Sequence, residues 1–301
     1  LVSHPLLSGT LGADVFVKLE NTQPLGAFKV RGGLNLMASL DTPRIRRGVV
    51  AATRGNHGQS LAFAAREFGA TCTLVVPEGN NVDKNAAMRS LGARVVVAGD
   101  DFDASCAHAA KLASGMGARL VHPGTERALI AGVATIGLEL IEQLTAPLDV
   151  LFVPVGVGSC IAGISIVMSL LSPRTRIIGV SARAAPAMAR AFEREQLVVC
   201  PPAETLADGL AVGAPVAETL SVMRGRVECI TLVDESDIRS AIVLYARTLH
   251  QLAEGAGAVA LAAALNWRDR IRGLRVGLVL SGGNIEASAL RGVLETRSRP
   301  L

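Results

Sequence analysis

The feature that most constrains this chain is a repeated alternation. Short β-branched runs end in glycine-rich turns, and each turn leads into a segment with helical periodicity. The runs fall at residues 15–19, 48–52, 71–76, 94–97, 148–153, 176–180 and 275–280, and helical patterns lie between them at 59–68, 84–91, 103–114 and 130–144. Strands that alternate with helices pair in parallel through right-handed crossovers, so the chain is expected to be an α/β protein. Half of its 301 residues are hydrophobic but only 3% are aromatic. The core must therefore be built from Ala, Val, Leu and Ile, which suits parallel strands covered on both faces. Residues 48–125 read as a small α/β domain, and 1–47 with 126–301 as a large one. Two parallel sheets of this kind would leave a cleft for a cofactor.

Charge and cysteine content exclude several classes. The net charge of +4 comes from scattered arginines with almost no aromatics among them, which argues against nucleic-acid binding. No apolar run approaches the roughly 18 residues needed to span a membrane. Cys72, Cys106, Cys160, Cys200 and Cys229 are odd in number and lack metal-ligand spacing. They suit reduced thiols in a cytoplasmic enzyme better than a disulfide framework. The chain opens at Leu1 without a Met, which leaves targeting open.

Three turns carry candidate chemistry. Gly156-Val157-Gly158-Ser159-Cys160 follows an apolar run and precedes a helical pattern. Such a turn aims backbone N–H groups at an anion, with phosphate as the natural guest; a bare tight turn is the alternative. A dinucleotide fingerprint fits poorly, because Gly163 comes two residues late and the next strand ends at Ser181-Ala-Arg183 without an acid. Thr53-Arg54-Gly55-Asn56-His57 could wrap a carboxylate or be an Asn-capped turn. Ser281-Gly-Gly-Asn284 lets the backbone approach something flat. Lys29 has small and apolar neighbours and Arg31 two residues on. Burial and a nearby cation both lower a lysine pKa and favour a Schiff-base amine. A surface lysine at a helix start is the other reading.

Taken in order, these phrases resemble the threonine dehydratase and serine racemase family of fold-type II pyridoxal-phosphate enzymes. The resemblance runs from Lys18-Leu-Glu20-Asn21 and Gly26-Ala-Phe28-Lys29 through Gly55-Asn56-His57, Lys84, Gly156–Cys160, Thr205-Leu-Ala-Asp208-Gly209 and Ala253-Glu254-Gly to Ser281-Gly-Gly-Asn284. It implies a tryptophan synthase β-like fold of two parallel-sheet α/β domains. It also implies pyridoxal 5'-phosphate as cofactor, a small hydroxy amino acid as substrate, and a homodimer. Lys29 would hold the cofactor covalently, beside Phe28. Asn56 would bond the ring oxygen, Gly156, Val157, Gly158, Ser159 and Cys160 the phosphate, and Ser281 the ring nitrogen; Glu254 joins the cofactor-binding set. Thr53, Arg54, Gly55, Asn56 and His57 would meet the substrate, its carboxylate on Thr53 and the amides of Gly55 to His57.

The implied activity is a threonine or serine ammonia-lyase. Lys29 would remove the Cα proton, the β-hydroxyl would leave with the cofactor phosphate as acid, and a 2-oxo acid and ammonium would result. Related reactions on the same fold are β-replacement, racemisation, or dehydration of a bulkier or more acidic 3-hydroxy amino acid.

Departures from the family pattern sharpen these expectations. Arg54 stands where related racemases carry an acid–base serine, and a guanidinium is a poor base, so racemisation should be weak. Ser181 replaces a glutamate that helps bind a divalent cation in many relatives. Glu204 and Asp208 remain as ligands for Mg²⁺ or Ca²⁺. Only a short helix follows Asn284, so a C-terminal regulatory domain and control by isoleucine are not expected, which points to a catabolic role.

Overall fold

The computed structural model describes residues 1–201 and 203–295. Its strands are β1 (Asp14–Leu19), β2 (Val49–Ala52), β3 (Cys72–Val76), β4 (Arg94–Val97), β5 (Arg119–Leu120), β6 (Val150–Pro154), β7 (Arg176–Ala182), β8 (Cys229–Val233) and β9 (Arg275–Leu280). They form two sheets, ordered β1-β9-β6-β7-β8 and β4-β3-β2-β5, and every pairing within them is parallel. The α/β class with two parallel sheets is therefore as expected. The pattern misses β5, which has only two residues, and β8, an edge strand whose residues are mostly half-buried.

The chain divides into two compact units. The larger holds Leu1–Ala27 and the chain from Ala134 on; the smaller holds Phe28–Val133. In the larger unit the helix Gly255–Asn266 is buried from Gly255 to Ala264 and packs on β6 and β9. Alanine explains both its stability and its position. It is the best helix former, and its small side chain allows close approach to the sheet. Two of its glycines are needed for this closeness: a Cβ on Gly255 would fall 2.2 Å from the Leu206 carbonyl oxygen and one on Gly257 2.2 Å from that of Gly282. The few aromatics fill the remaining space, with Phe152 meeting Trp267 edge-on at 5.7 Å.

In the smaller unit the helix Lys29–Ala38 packs against the helix Asn56–Glu67. Gly33 makes this possible, since a Cβ there would lie 2.2 Å from Ser60 Oγ. Ser60 Oγ donates to the Lys29 carbonyl at 2.6 Å. This packing assigns residues 28–47 to the smaller unit, where the sequence pattern groups 1–47 with the larger. At the other end the smaller unit extends to Val133, eight residues past the expected limit of 125, because Gly132 lies against the Arg31 carbonyl.

All five cysteines are free thiols. Among the described residues no helix is long and apolar enough to cross a membrane.

Candidate active site

In the larger unit the glycine loop follows β6. Pro154 ends the strand and Gly158, at φ +90°, starts the helix Ser159–Leu171. Both glycines are required by close neighbours. A Cβ on Gly158 would stand 2.7 Å from Thr219 Oγ1, and one on Gly156 would stand 3.0 Å from the Gly209 carbonyl. Thr219 Oγ1 donates to the Val157 carbonyl at 2.7 Å and fixes the loop from outside. Val157, Ser159 and Cys160 are buried. The N-cap Gly158 has no side chain to cap this helix, and a helix N-terminus of this kind favours an anion. Ser181 has a role the sequence does not reveal: its Oγ donates to the Val155 carbonyl at 2.7 Å, at the foot of the loop.

The Ser281-Gly-Gly-Asn284 phrase follows β9 and clamps the segment that leads to Lys29. Ala27 bridges Gly282, the Gly283 amide donates to Gly26 at 2.9 Å, and Asn284 Nδ2 donates to Leu25 at 2.8 Å. Gly26 takes φ +67° with no room for a side chain beside Asn284. Lys29 lies two residues further along the chain. Ser281 is buried, and its Oγ reaches the Ala256 carbonyl only at a long 3.3 Å. A bond that long is weak and leaves the hydroxyl able to turn to a better acceptor. Buried Glu254 precedes the alanine helix, with Oε1 2.4 Å from where a Gly282 Cβ would be.

The smaller unit holds Phe28, Lys29 and the turn after β2. Lys29 Nζ lies 4.7 Å from the Phe28 ring centre. Thr53 is buried, and its Oγ1 accepts the amides of Gly55 at 3.0 Å and Gly58 at 2.9 Å. The Gly55 amide is thus used inside the turn, where the sequence suggested it for a substrate carboxylate. The Gly58 amide is used in the same way, and the Thr53 O–H keeps that capacity. Lys84 is the residue that sequence reasoning did not connect to this turn. It is buried, and its Cδ lies 2.4 Å from where a Gly55 Cβ would be. No spacing rule links a helix residue to a turn so far back in the chain.

His57 is buried, and its pKa is pushed well below the usual imidazole value. Burial is the main cause, followed by the charges of Lys29 and His122; a hydrogen bond to the Val121 backbone opposes them. Its Nε2 has no hydrogen-bond partner. The ring is therefore neutral, with its proton on the Nδ1 side towards Val121 and an acceptor lone pair on Nε2.

A family model described as pyridoxal-phosphate dependent enzyme matches residues 1–282. The chain belongs to the pyridoxal-phosphate dependent enzyme family. It is 38% identical over 294 residues to the L-threonine ammonia-lyase of Thermotoga maritima, covering 98% of this chain and 73% of that one. Its fold matches a processed threonine deaminase isoform 2 from Solanum lycopersicum with a TM-score of 0.93 and 31% identity, over 99% of this chain and 88% of that one. Maize serine racemase matches with a TM-score of 0.91 and 28% identity, over 97% and 90%.

The residues present fit the family's cofactor. The glycine loop is a cradle that a Cβ would fill, it opens onto a helix whose N-cap is glycine, and buried Ser281 carries a loosely held hydroxyl. The expected cation site fares differently. Among the described residues no three His, Cys, Asp or Glu side chains are grouped to hold a metal ion. Glu204 is exposed, and Asp208 opens the 3-10 turn Asp208–Leu210, whose Gly209 carbonyl backs the glycine loop at Gly156.

Proposed function

We propose that this chain eliminates water from a small 3-hydroxy amino acid of the threonine and serine class, releasing a 2-oxo acid and ammonium. The observation that carries this reading is the clamp of Leu25–Ala27 on Gly282–Asn284. It ties the residues just before Phe28 to the Ser281 phrase by hydrogen bonds. The names of the relatives support it.

Pyridoxal phosphate, when bound, supplies the electron sink that makes the substrate Cα proton removable. Lys29 would hold it, with the amides of Gly156 to Cys160 and the Ser159 hydroxyl on its phosphate, Asn56 on its ring oxygen and Ser281 on its ring nitrogen. A serine hydroxyl donates a hydrogen bond without protonating that nitrogen.

The remaining roles belong to the smaller unit. The Thr53 O–H orients the substrate carboxylate. Lys29 Nζ takes the Cα proton. Neutral His57 adds no second positive charge beside that amine. A guanidinium such as that of Arg54 is a poor base and is given no part in the proton transfer. No cation is assigned to Glu204 and Asp208 in this reading.

The test is direct. Protein purified with pyridoxal phosphate should absorb in the visible region and release 2-oxo acid and ammonium from threonine or serine. Colourless protein with no release from either would sink the reading.

A further inference from the structure

We propose that Arg54 is a specificity-determining residue, and that the preferred substrate carries a second carboxylate: a 2-amino-3-hydroxy dicarboxylic acid. This rests on the elimination reading and names the substrate class within it.

The turn has an unusual polar inventory. In the smaller unit, among the described residues, the buried side-chain nitrogens without a hydrogen-bond partner are Arg54 Nε, His57 Nε2 and Arg119 Nε. Two of the three flank Gly55 and Asn56. Arg119 has an ion pair through another nitrogen, to Glu126 at 2.8 Å. Arg54 has none.

Other arginines of the chain show what a structural arginine looks like here. Arg275 pairs with Asp14 at 2.8 Å, Arg176 with Glu228 at 2.7 Å and Arg183 with Asp234 at 2.6 Å. Arg54 as a whole is half-buried, but its Nε atom is buried and has no partner. Asp103 senses it: burial, then Asp101, raise the Asp103 carboxyl pKa, while His122 and Arg54 lower it. Yet Asp103 makes no ion pair with Arg54.

A buried guanidinium nitrogen left unsatisfied costs more than one that is paired. It is retained at a turn that binds a carboxylate where an incoming anion completes it. Planar guanidinium takes a carboxylate through two parallel hydrogen bonds, and Nε with one terminal nitrogen forms such an edge. The first substrate carboxylate goes to Thr53. A carboxylate two carbons away then falls to the neighbouring residue in the turn. Buried Lys84 along Gly55 adds positive charge to the same turn.

The chemistry balances without an oxidant. Loss of the 3-hydroxyl with the 2-hydrogen gives water and an enamine. The enamine tautomerises to an imine, which takes up water and releases ammonia. The sum is conversion of the hydroxyamino diacid to a 2-oxo diacid and ammonia.

The test uses the protein loaded with pyridoxal phosphate. kcat/KM is measured for 3-hydroxyaspartate, threonine and serine, and calorimetry compares succinate with butyrate. The wild type should favour 3-hydroxyaspartate over threonine, and succinate over butyrate, each by at least about 10-fold. Arg54→Gln should lower both ratios by about 10- to 100-fold, the size of one charge-assisted pair, with partial rescue by Arg54→Lys. Should Arg54→Gln fail to fold, the wild-type succinate and butyrate comparison still decides. Better turnover of threonine or serine, equal binding of succinate and butyrate, or unchanged ratios in Arg54→Gln would each overturn this inference and leave the elimination reading standing. No 2-oxo acid from any of the three substrates removes the elimination reading, and this inference with it.

Discussion

The loop after β6 and the turn after β2 have the same local plan: a buried strand, a glycine-containing bend and a helix whose N-cap is glycine. They differ in what surrounds the bend. Around Gly156 and Gly158 the neighbours are Gly209, Leu210, Thr219 and Met188, and the loop is defined by its backbone. Around Gly55 the turn carries a half-buried arginine and a buried histidine, each with an unpartnered nitrogen, and a buried lysine stem. A backbone cradle holds a constant group whatever the substrate. A turn furnished with side chains discriminates. The first suits a cofactor phosphate and the second suits substrate choice.

The harshest test of that division removes the residue that serves both purposes. Lys29→Ala should abolish the visible absorbance of the loaded enzyme and lower turnover by at least about a thousand-fold, since the proposed function gives Lys29 both the cofactor link and the proton transfer. Near-wild-type turnover would show that the two regions do not meet their tasks through Lys29. Next in size is the cradle itself. Gly158→Ala forces a non-glycine residue to φ +90° with its Cβ 2.7 Å from Thr219 Oγ1. It should cost about 1–3 kcal/mol of stability and weaken cofactor binding, read by chemical denaturation and by titration with pyridoxal phosphate. A cradle defined by backbone leaves no alternative geometry to adopt.

The two regions were also unequally legible in the sequence. Glycine patterns after β-branched runs carry local conformational meaning, so seven of the nine strands and all three turns are visible without a structure. Contacts between distant segments are not. Ser60 on the Lys29 carbonyl, Val121 on His57, Lys84 over Gly55 and Ser181 on Val155 join residues that no periodicity connects. The placement of helix Lys29–Ala38 in the smaller unit depends on one such contact, at Gly33. Arg54 is the instructive case. The sequence shows that it departs from the racemase pattern; only the structure shows that it lacks an ion pair.

The pH dependence of stability probes the side-chain-furnished turn. His57 has its pKa lowered in the folded state, so below the unfolded value of about 6.5 the unfolded chain binds more protons. Its contribution is complete above that pH and is lost as pH falls towards the folded pKa, by up to about 1.4 kcal/mol per pH unit. The denaturation midpoint of the wild type should fall between pH 7 and pH 5, and that of His57→Asn should fall less. Parallel slopes would mean that the His57 imidazole is open to water in the folded chain, against this account of the turn.

The smallest expected effect concerns the face of the substrate opposite Lys29. Related racemases carry a serine where this chain has Arg54, and a guanidinium neither takes nor readily gives up a proton at neutral pH. Arg54→Ser supplies a hydroxyl that can exchange one, while Arg54→Gln removes the charge without supplying an acid–base. D-serine formed from L-serine, measured by chiral chromatography, should rise in Arg54→Ser to on the order of a hundredth of the elimination rate and stay at background in Arg54→Gln. The pair separates two functions of one position: both variants lose the second-carboxylate preference, and only one gains a proton carrier. If Arg54→Ser forms no more D-serine than the wild type, residue 54 does not face Cα, and the turn selects substrates without touching the reacting carbon.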